Sequence, residues 1–374
     1  MIKKRTDIFH IYWGTAGNAG LYLDEIYQVL KMIGYKQKAF VNYYYPFYYG
    51  NKVFYKYTEL GHCKIKRFRG PIRYLELLLA LFIILIKTII DRPRVINYSL
   101  IGSFDIVRYY LIFCQKALGC NIVLTCHDVL PFASSSQNDD TEMANRRKVL
   151  MIADNYLLHN EYSKKQLIDY FLVDEQKIVI HPFPIMDLSK ITSISEPISP
   201  KSDFLFIGHL RREKGVDILL AAWELVHNVY PNATLRVAGN LPKIENLDLS
   251  RYKERSDVEF LLTFLSDEEY CNLIKSTRFV VMPYKNGTNS GVVSTVLSLN
   301  AEVIASDIPM FMENPLIDKS LLFKSENTEF LSEIMIKVLK NNYKHEKKAL
   351  SIKQYKELFA EEVEKVYKTI VDKE

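Results

Sequence analysis

Three cations, Arg211, Arg212 and Lys214, lie in FLFIGHLRREKGVDILLAAWELV (204–226), which reads as a strand, a glycine turn at Gly208 and a helix. Cations at a helix start oppose the helix dipole, which favours acids there. A bound polyanion would relieve that conflict. Farther along, PYKNGTNSGVVSTVLSLNAEVIAS (283–306) places Asn286, Gly287, Thr288, Asn289, Ser290 and Gly291 just where the apolar helical run VVSTVLSL begins. Free backbone N–H groups at such a start, with a partial charge of about half a unit, seat an anion. Glycine lets the backbone come close, and Thr288 and Ser290 can cap or donate. The two segments together read as a phosphate cradle, whereas the second taken alone reads as an ordinary N-cap.

In the N-terminal half, YWGTAGNAG (12–20) is a strand, a small-residue loop and a helix start, with Gly14, Gly17 and Gly20 at a spacing that fits any tight βα turn. His127 and Asp128 follow the strand IVLTC, at a carboxyl end where open α/β sheets take ligands. On its own, His127 reads as a loop histidine. There is no D-x-D pair and no His/Cys/Asp cluster with metal-ligand spacing. The five cysteines form no C-x-x-C pair, which excludes a zinc knuckle or a thioredoxin-like motif and points to a reducing cytoplasm.

The elements that must position these residues alternate along the chain. Strands are expected at 6–13, 37–42, 94–98, 121–126, 154–158 and 177–180, with helices at 20–33, 71–90, 104–118 and 161–171. The stretch 182–203, with four prolines and several serines, interrupts the pattern. It then restarts with strands at 203–207, 233–238, 257–260, 278–282 and 302–305 and helices at 214–229, 266–275 and 290–299; 327–372 reads as one or two surface helices. Alternation of this kind implies parallel sheets covered by helices, and 374 residues suit two domains. The expectation is an α/β protein of two facing Rossmann-like domains with a cleft between them. Residues 1–185 are expected to form the first domain, 186–201 a linker, 202–350 the second domain, and 351–374 a helix packing back on the first.

Hydrophobic content of 48% and charged content of 25% fit a folded protein. Residues 31–116 hold 15 Lys and Arg against 4 Asp and Glu, although the whole chain carries only +5. Tyrosines alternate with cations in VNYYYPFYYGNKVFYKY (41–57) and KIKRFRGPIRY (64–74), which suits a headgroup surface or a phosphate-bearing acceptor. The alternative is a solvated strand pair. No nucleic-acid motif accompanies the charge. LELLLALFIILIKTII (75–90) falls short of a membrane span and reads first as a buried helix, with a helix in the membrane interface as the alternative. The N-terminus has too short an apolar run for a signal peptide.

The motifs G-x-x-R-x-x-K-G (Gly208, Arg211, Lys214, Gly215) and MPYKNGTNSGVV…EVIASDIPMFME resemble the retaining glycosyltransferases of family 4, which have the GT-B fold, in a branch reading P-Y-x5-S-G-V. HDVLPF (127–132), DNYLLHNEYSKKQL (154–167) and KIVIHPFPI (177–185) are similar to that family's N-terminal domain. The resemblance implies a metal-independent enzyme without cofactor, moving a sugar with retention from a nucleoside diphosphate sugar to a saccharide or lipid-linked acceptor in glycan assembly. It further implies that Arg211 and Lys214 hold the diphosphate. Gly208, Thr288, Asn289, Ser290, Gly291 and Val292 would line the donor site, with Glu313 in a structural or ribose-side role. Gly14, Thr15, Gly17 and Asn18 would lie under sugar and acceptor, and His127 with Asp128 against the donor sugar. The protein is expected to be cytoplasmic, touching an anionic membrane through residues 31–116, with no nucleic-acid partner. One departure stands out: the family's usual glutamate pair falls on Gly287 and Thr295. A non-catalytic partner subunit and a nucleotide-sugar epimerase are the alternatives.

Overall fold

Runs such as IVLT and FVVM lack polar alternation, the pattern of strands covered on both faces of a parallel sheet. The computed structural model describes residues 6–14, 19–58, 63, 65–99, 106–130, 139–190, 192–193, 202–242, 247, 249–340 and 348–371. They divide into two units, Met1–Pro184 with Leu358–Glu374, and Ile185–Glu357.

The first unit runs β1 (Ile8–Ile11), α1 (Ala19–Ile33), β2 (Gln37–Asn42), β3 (Gly50–Phe54), α2 (Lys66–Asp91), β4 (Val95–Tyr98), α3 (Ile106–Ala117), β5 (Asn121–Thr125), α4 (Asp139–Ile152), β6 (Asn155–Leu158), α5 (Glu161–Phe171) and β7 (Ile178–Ile180). Its strands are all parallel, in the order β3-β2-β1-β4-β5-β6-β7. Phe9, Ile96, Ile122 and Leu124 are fully buried at its centre. Asn160 caps α5, its side chain accepting from the N–H of Ser163.

Helix α2 starts at Lys66, five residues before the expected position, and carries Pro71 inside it, where the proline costs one backbone hydrogen bond. β3 and α4 were not expected. β3 is an edge strand with polar, glycine-bearing sequence, and α4 is too polar to show a clear apolar stripe. The tyrosine-rich stretch is only partly solvated, since Tyr45 and Tyr55 are buried while Tyr48 and Tyr57 are exposed.

The second unit runs β8 (Ser202–Ile207), α6 (Val216–Val229), β9 (Leu235–Ala238), α7 (Ser250–Lys253), β10 (Val258–Leu261), α8 (Asp267–Lys275), β11 (Thr277–Met282), α9 (Gly291–Ser298), β12 (Glu302–Ser306), α10 (Pro309–Met312), β13 (Leu322–Phe323) and α11 (Thr328–Leu339). Its parallel sheet has the order β10-β9-β8-β11-β12-β13. Trp223 of α6 is fully buried, and its indole N–H donates to Asp257 at 2.7 Å. Ser266 and Glu269 close a capping box at the start of α8. The described start of the proline-rich stretch is held rather than free: Ile185, Met186 and Leu188 are buried, and the Met186 N–H donates to Ser294 Oγ of α9 at 2.7 Å.

The last helix, α12 (Ile352–Val371), contributes its residues from Leu358 onward to the first unit. There the Tyr367 hydroxyl accepts from Asn97 Nδ2 at 2.8 Å. Among the described residues no helix is long and apolar enough to cross a membrane.

Candidate functional site

Strand order reverses between β8 and β11 in the second unit and between β1 and β4 in the first. Ligands of open α/β sheets bind beyond the carboxyl ends of the strands at such a reversal. In the second unit the two loops leaving that point are 208–215, after β8, and 283–290, after β11. These are the two segments whose chemistry suggested a phosphate cradle, and pairing of β8 with β11 makes them neighbours.

Glycine holds the loops together. Gly215 has φ +68°, and a Cβ there would lie 1.8 Å from the carbonyl oxygen of Pro283, so only glycine fits. The Lys285 N–H donates to the Glu213 carbonyl at 2.9 Å, and Lys285 Nζ meets Asp217 at 2.7 Å. At the other end of the first loop, a Cβ on Gly208 would lie 3.4 Å from Val292 Cγ2, so the turn rests against the first turn of α9.

The cations occupy this junction. Lys214 Nζ sits 3.7 Å from the centroid of the buried Tyr284 ring, a cation–π contact across the two loops. Arg211 lies 3.7 Å from Glu213. His209 is held below the usual imidazole value first by partial burial and then by the charges of Arg211 and Lys214. Gly215 separates Lys214 from α6, and Asp217 takes the first turn of that helix, as the dipole favours.

Ser290 is the N-cap of α9 in extended conformation, and its side chain makes no capping hydrogen bond. The first turn has no acid either, while Val293 to Leu297 anchor the helix in the core. Thr288 is buried beside it, and Asn289, Gly291 and Val292 are half-buried. Glu313 is exposed at the end of α10, three residues past Met310, whose sulfur would lie 3.6 Å from a Cβ on Gly287. Gly287 itself has φ +155°, and Thr295 is fully buried.

In the first unit, β5, β6 and β7 each end in a histidine: His127, His159 and His181. His127 Nε2 faces the Ser99 carbonyl at 3.1 Å, and a carbonyl only accepts, so Nε2 carries the proton. His127 Nδ1 lies 3.0 Å from His159 Nε2, and His159 Nδ1 faces the His181 carbonyl at 3.4 Å. His181 Nδ1 faces the Pro182 carbonyl at 2.9 Å, which leaves its Nε2 to accept from the Tyr22 hydroxyl at 3.1 Å. Desolvation by burial lowers His127 and His181 to about 4, and burial with its two histidine neighbours holds His159 well below the usual value. The cluster is thus three neutral imidazoles at neutral pH. Among the described residues no group of His, Cys, Asp or Glu is placed to hold a metal.

The sequence reading named His127 but missed His159, His181 and Tyr22. A signal was present, since IVLTCH, YLLH and IVIH each place a histidine at the end of an apolar strand. Asp128 is half-buried, its carbonyl accepting from Arg146 at 2.7 Å. Gly14 packs against the Tyr12 ring, and its carbonyl accepts from Asn42. Thr15, Gly17 and Asn18 lie outside the described residues.

Residues 190–358, which contain both loops, match the family Glycosyl transferases group 1. The match spans less than half of the chain. A curated relative, the GDP-mannose:glycolipid 4-beta-D-mannosyltransferase of Xanthomonas campestris pv. campestris, is 30% identical over 103 residues, 27% of this chain and 29% of that protein. The match therefore spans less than a third of the relative's length. Among solved structures, Anabaena HepE in complex with UDP aligns at TM-score 0.59 and 12% identity, over 98% of this chain and 95% of that one. The UDP-GlcNAc 2-epimerase of Neisseria meningitidis bound to UDP-GlcNAc aligns at 0.55 and 13%, over 98% and 100%. At such identities the likeness shows the fold, two Rossmann-like α/β domains of the GT-B class. The group 1 match covers the segment that carries Arg211, Lys214 and Ser290.

Proposed function

We propose that the protein is a glycosyltransferase that moves a sugar from a nucleoside diphosphate sugar to a saccharide acceptor, lipid-linked, in surface polysaccharide or glycan assembly. The observation that carries this reading is the junction of the 208–215 and 283–290 loops at the sheet reversal of the segment that matches group 1. The donor's diphosphate lies over the start of α9 and accepts from the backbone N–H groups of Gly291 and Val292, with Gly208, Thr288, Asn289 and Ser290 around it. Arg211 and Lys214 exchange their present partners, Glu213 and the Tyr284 ring, for phosphate oxygens. As the glycosidic bond breaks, the same groups neutralise charge growing on the leaving diphosphate, which is why no metal is invoked. Glu313 takes the structural or ribose-side role.

In the first unit, His127 meets the donor sugar by exchanging the Ser99 carbonyl for a sugar hydroxyl, with Asp128, Gly14, Thr15, Gly17 and Asn18 on the sugar and acceptor side. Retention of configuration follows from the resemblance to family 4. Inversion is the second reading, favoured by the beta linkage in the name of the curated relative. The anomeric configuration of the product, read from proton couplings in the NMR spectrum, separates the two. An epimerase shares the fold, and the Gly287 and Thr295 positions are what a non-catalytic partner would explain.

The test is calorimetric titration with UDP, GDP, ADP and dTDP. Selective binding of one nucleotide, weakened about a hundredfold or more in the Arg211→Ala/Lys214→Ala variant, supports the donor site, since two charged hydrogen bonds are lost. Absence of binding to all four overturns it in favour of the non-catalytic partner.

A further inference from the structure

Helix α2 is 26 residues long and apolar on two opposite sides. One side, Leu77, Ala80, Leu81, Ile84 and Thr88, is buried against its own unit. The other carries Phe68, Leu75, Leu79, Phe82, Ile86 and Ile90, all exposed, with Leu79, Phe82 and Ile90 at 60%, 59% and 49%. At 3.6 residues per turn these six fall within an arc of about 80°, and the helix is about 39 Å long. A helix that is hydrophobic all round is ordinarily covered all round. Here the outer stripe is open; the neighbouring α3 also exposes Tyr110 and Phe113, the latter beside Met151 of α4.

Charge distinguishes what covers it. No ionisable side chain interrupts the six-residue stripe, whereas cations border it: exposed Lys66 and Arg67 at the N-terminal end, Lys87 on the flank, and exposed Arg92 and Arg94 just beyond the C-terminal end. Of the two acids of the helix, Asp91 lies on the buried side and Glu76 shares the flank of Lys87, tied up in the hydrogen bonds of the neighbouring turn. Asp91 is buried and paired with Lys38 at 2.6 Å, and Glu76 accepts from the N–H of Tyr57 at 2.7 Å. That second bond brings the 55–58 turn beside α2, adding exposed Tyr57, with Lys56 over its ring. An apolar stripe rimmed by cations and amphipathic tyrosines is complementary to acyl chains under anionic headgroups. A second copy of this chain would instead set these cations against each other.

We propose that the outer face of α2 is a docking surface for an anionic lipid bilayer, with the helix lying in the plane of the interface. The side chains of the stripe enter the acyl boundary while Lys66, Arg67, Arg92 and Arg94 stay with the headgroups. This surface stands independently of the sugar-transfer reading, because it uses none of the residues assigned to donor or sugar.

Flotation of the full chain with vesicles tests it, comparing phosphatidylglycerol mixed into phosphatidylcholine with phosphatidylcholine alone. The expected result is binding to the mixed vesicles only, weakened by added salt. Leu79→Glu and Phe82→Glu should each weaken it about tenfold or more, and Lys66→Ala and Arg67→Ala about fivefold each. These side chains are exposed, so thermal unfolding should be little changed. Phe264→Glu, at an equally exposed aromatic of the second unit, should leave vesicle binding as it was. Three outcomes overturn the proposal: no binding to either vesicle, binding that the α2 variants do not affect, or a dimer in sedimentation that Phe82→Glu dissociates. The last would assign the face to a second copy of the chain.

Discussion

A Cβ on Gly215 would lie 1.8 Å from the carbonyl oxygen of Pro283, so two loops 68 residues apart in sequence meet at a point where only a hydrogen fits. Replacing Gly215 with alanine must part the loops or distort φ +68°. Stability should fall by about 2 kcal/mol or more, measured by urea unfolding. Nucleotide binding should fall with it, because Lys214 and the start of α9 lose their mutual placement. A variant with unchanged stability and binding would show that this contact does not organise the site.

Lys214 and Arg211 should separate binding from stability. Their present contacts are an exchangeable cation–π contact and a 3.7 Å ion pair, each worth about 1 kcal/mol or less where water reaches them. Single substitutions Arg211→Ala and Lys214→Ala should therefore leave the unfolding midpoint nearly unchanged. Each should weaken binding of a nucleoside diphosphate about tenfold or more in calorimetry. A large loss of stability with binding intact would reverse the roles assigned to them.

The tautomer of His127 follows from its neighbours and can be read directly. Long-range proton–nitrogen correlation NMR should show the proton on Nε2, with Nδ1 in the shift range of an acceptor. Replacing His159 with leucine removes the ring nitrogen at 3.0 Å. His127 Nδ1 is then free to take a proton, so the His127 pKa should rise from about 4. An unchanged titration would mean that His159 has no part in setting that ring.

Stability should also depend on pH through this cluster. His127 and His181 titrate near 4 in the folded protein against an unfolded value near 6.5, so the unfolded state binds more protons between those limits. The stability contributed by the neutral imidazoles is complete above about pH 6.5 and is lost as pH falls toward 4. His10, also buried and lowered to about 4, adds to the same slope. Denaturant unfolding at a series of pH values should show the decline, and a flat profile across that window would contradict the burial of these rings as neutral groups.

A glutamate restored at position 295 should not recover what the sequence departs from. Thr295 is fully buried within α9, and a carboxylate there would be desolvated without a designed partner. Thr295→Glu should destabilise the protein by about 3 kcal/mol or more, measured by thermal or urea unfolding. A stable variant with tighter donor binding would instead show that the position opens toward the ligand.

The sequence alone determined the alternation of strands and helices, the α/β class with two parallel sheets, and the two loop segments 208–215 and 283–290. Those features are local. Apolar runs such as FVVMP, the glycine turn at Gly208 and the polar stretch before Ser290 are written within a few residues of where they act. Elements with weak local patterns escaped it: edge strand β3, polar helix α4 and the two-residue β13.

Only tertiary structure decided which loops meet. The order β9-β8-β11-β12 sets the loop after β8 beside the loop after β11, and no local signal in either announces that β8 pairs with β11. The histidines are a similar case, because His127, His159 and His181 become one hydrogen-bonded cluster through the pairing of β5 with β6 and β6 with β7. The two sides of α2 make the point most sharply. Its sequence is apolar on both, and periodicity cannot say which side the sheet covers, since that depends on which face of the unit the chain has reached.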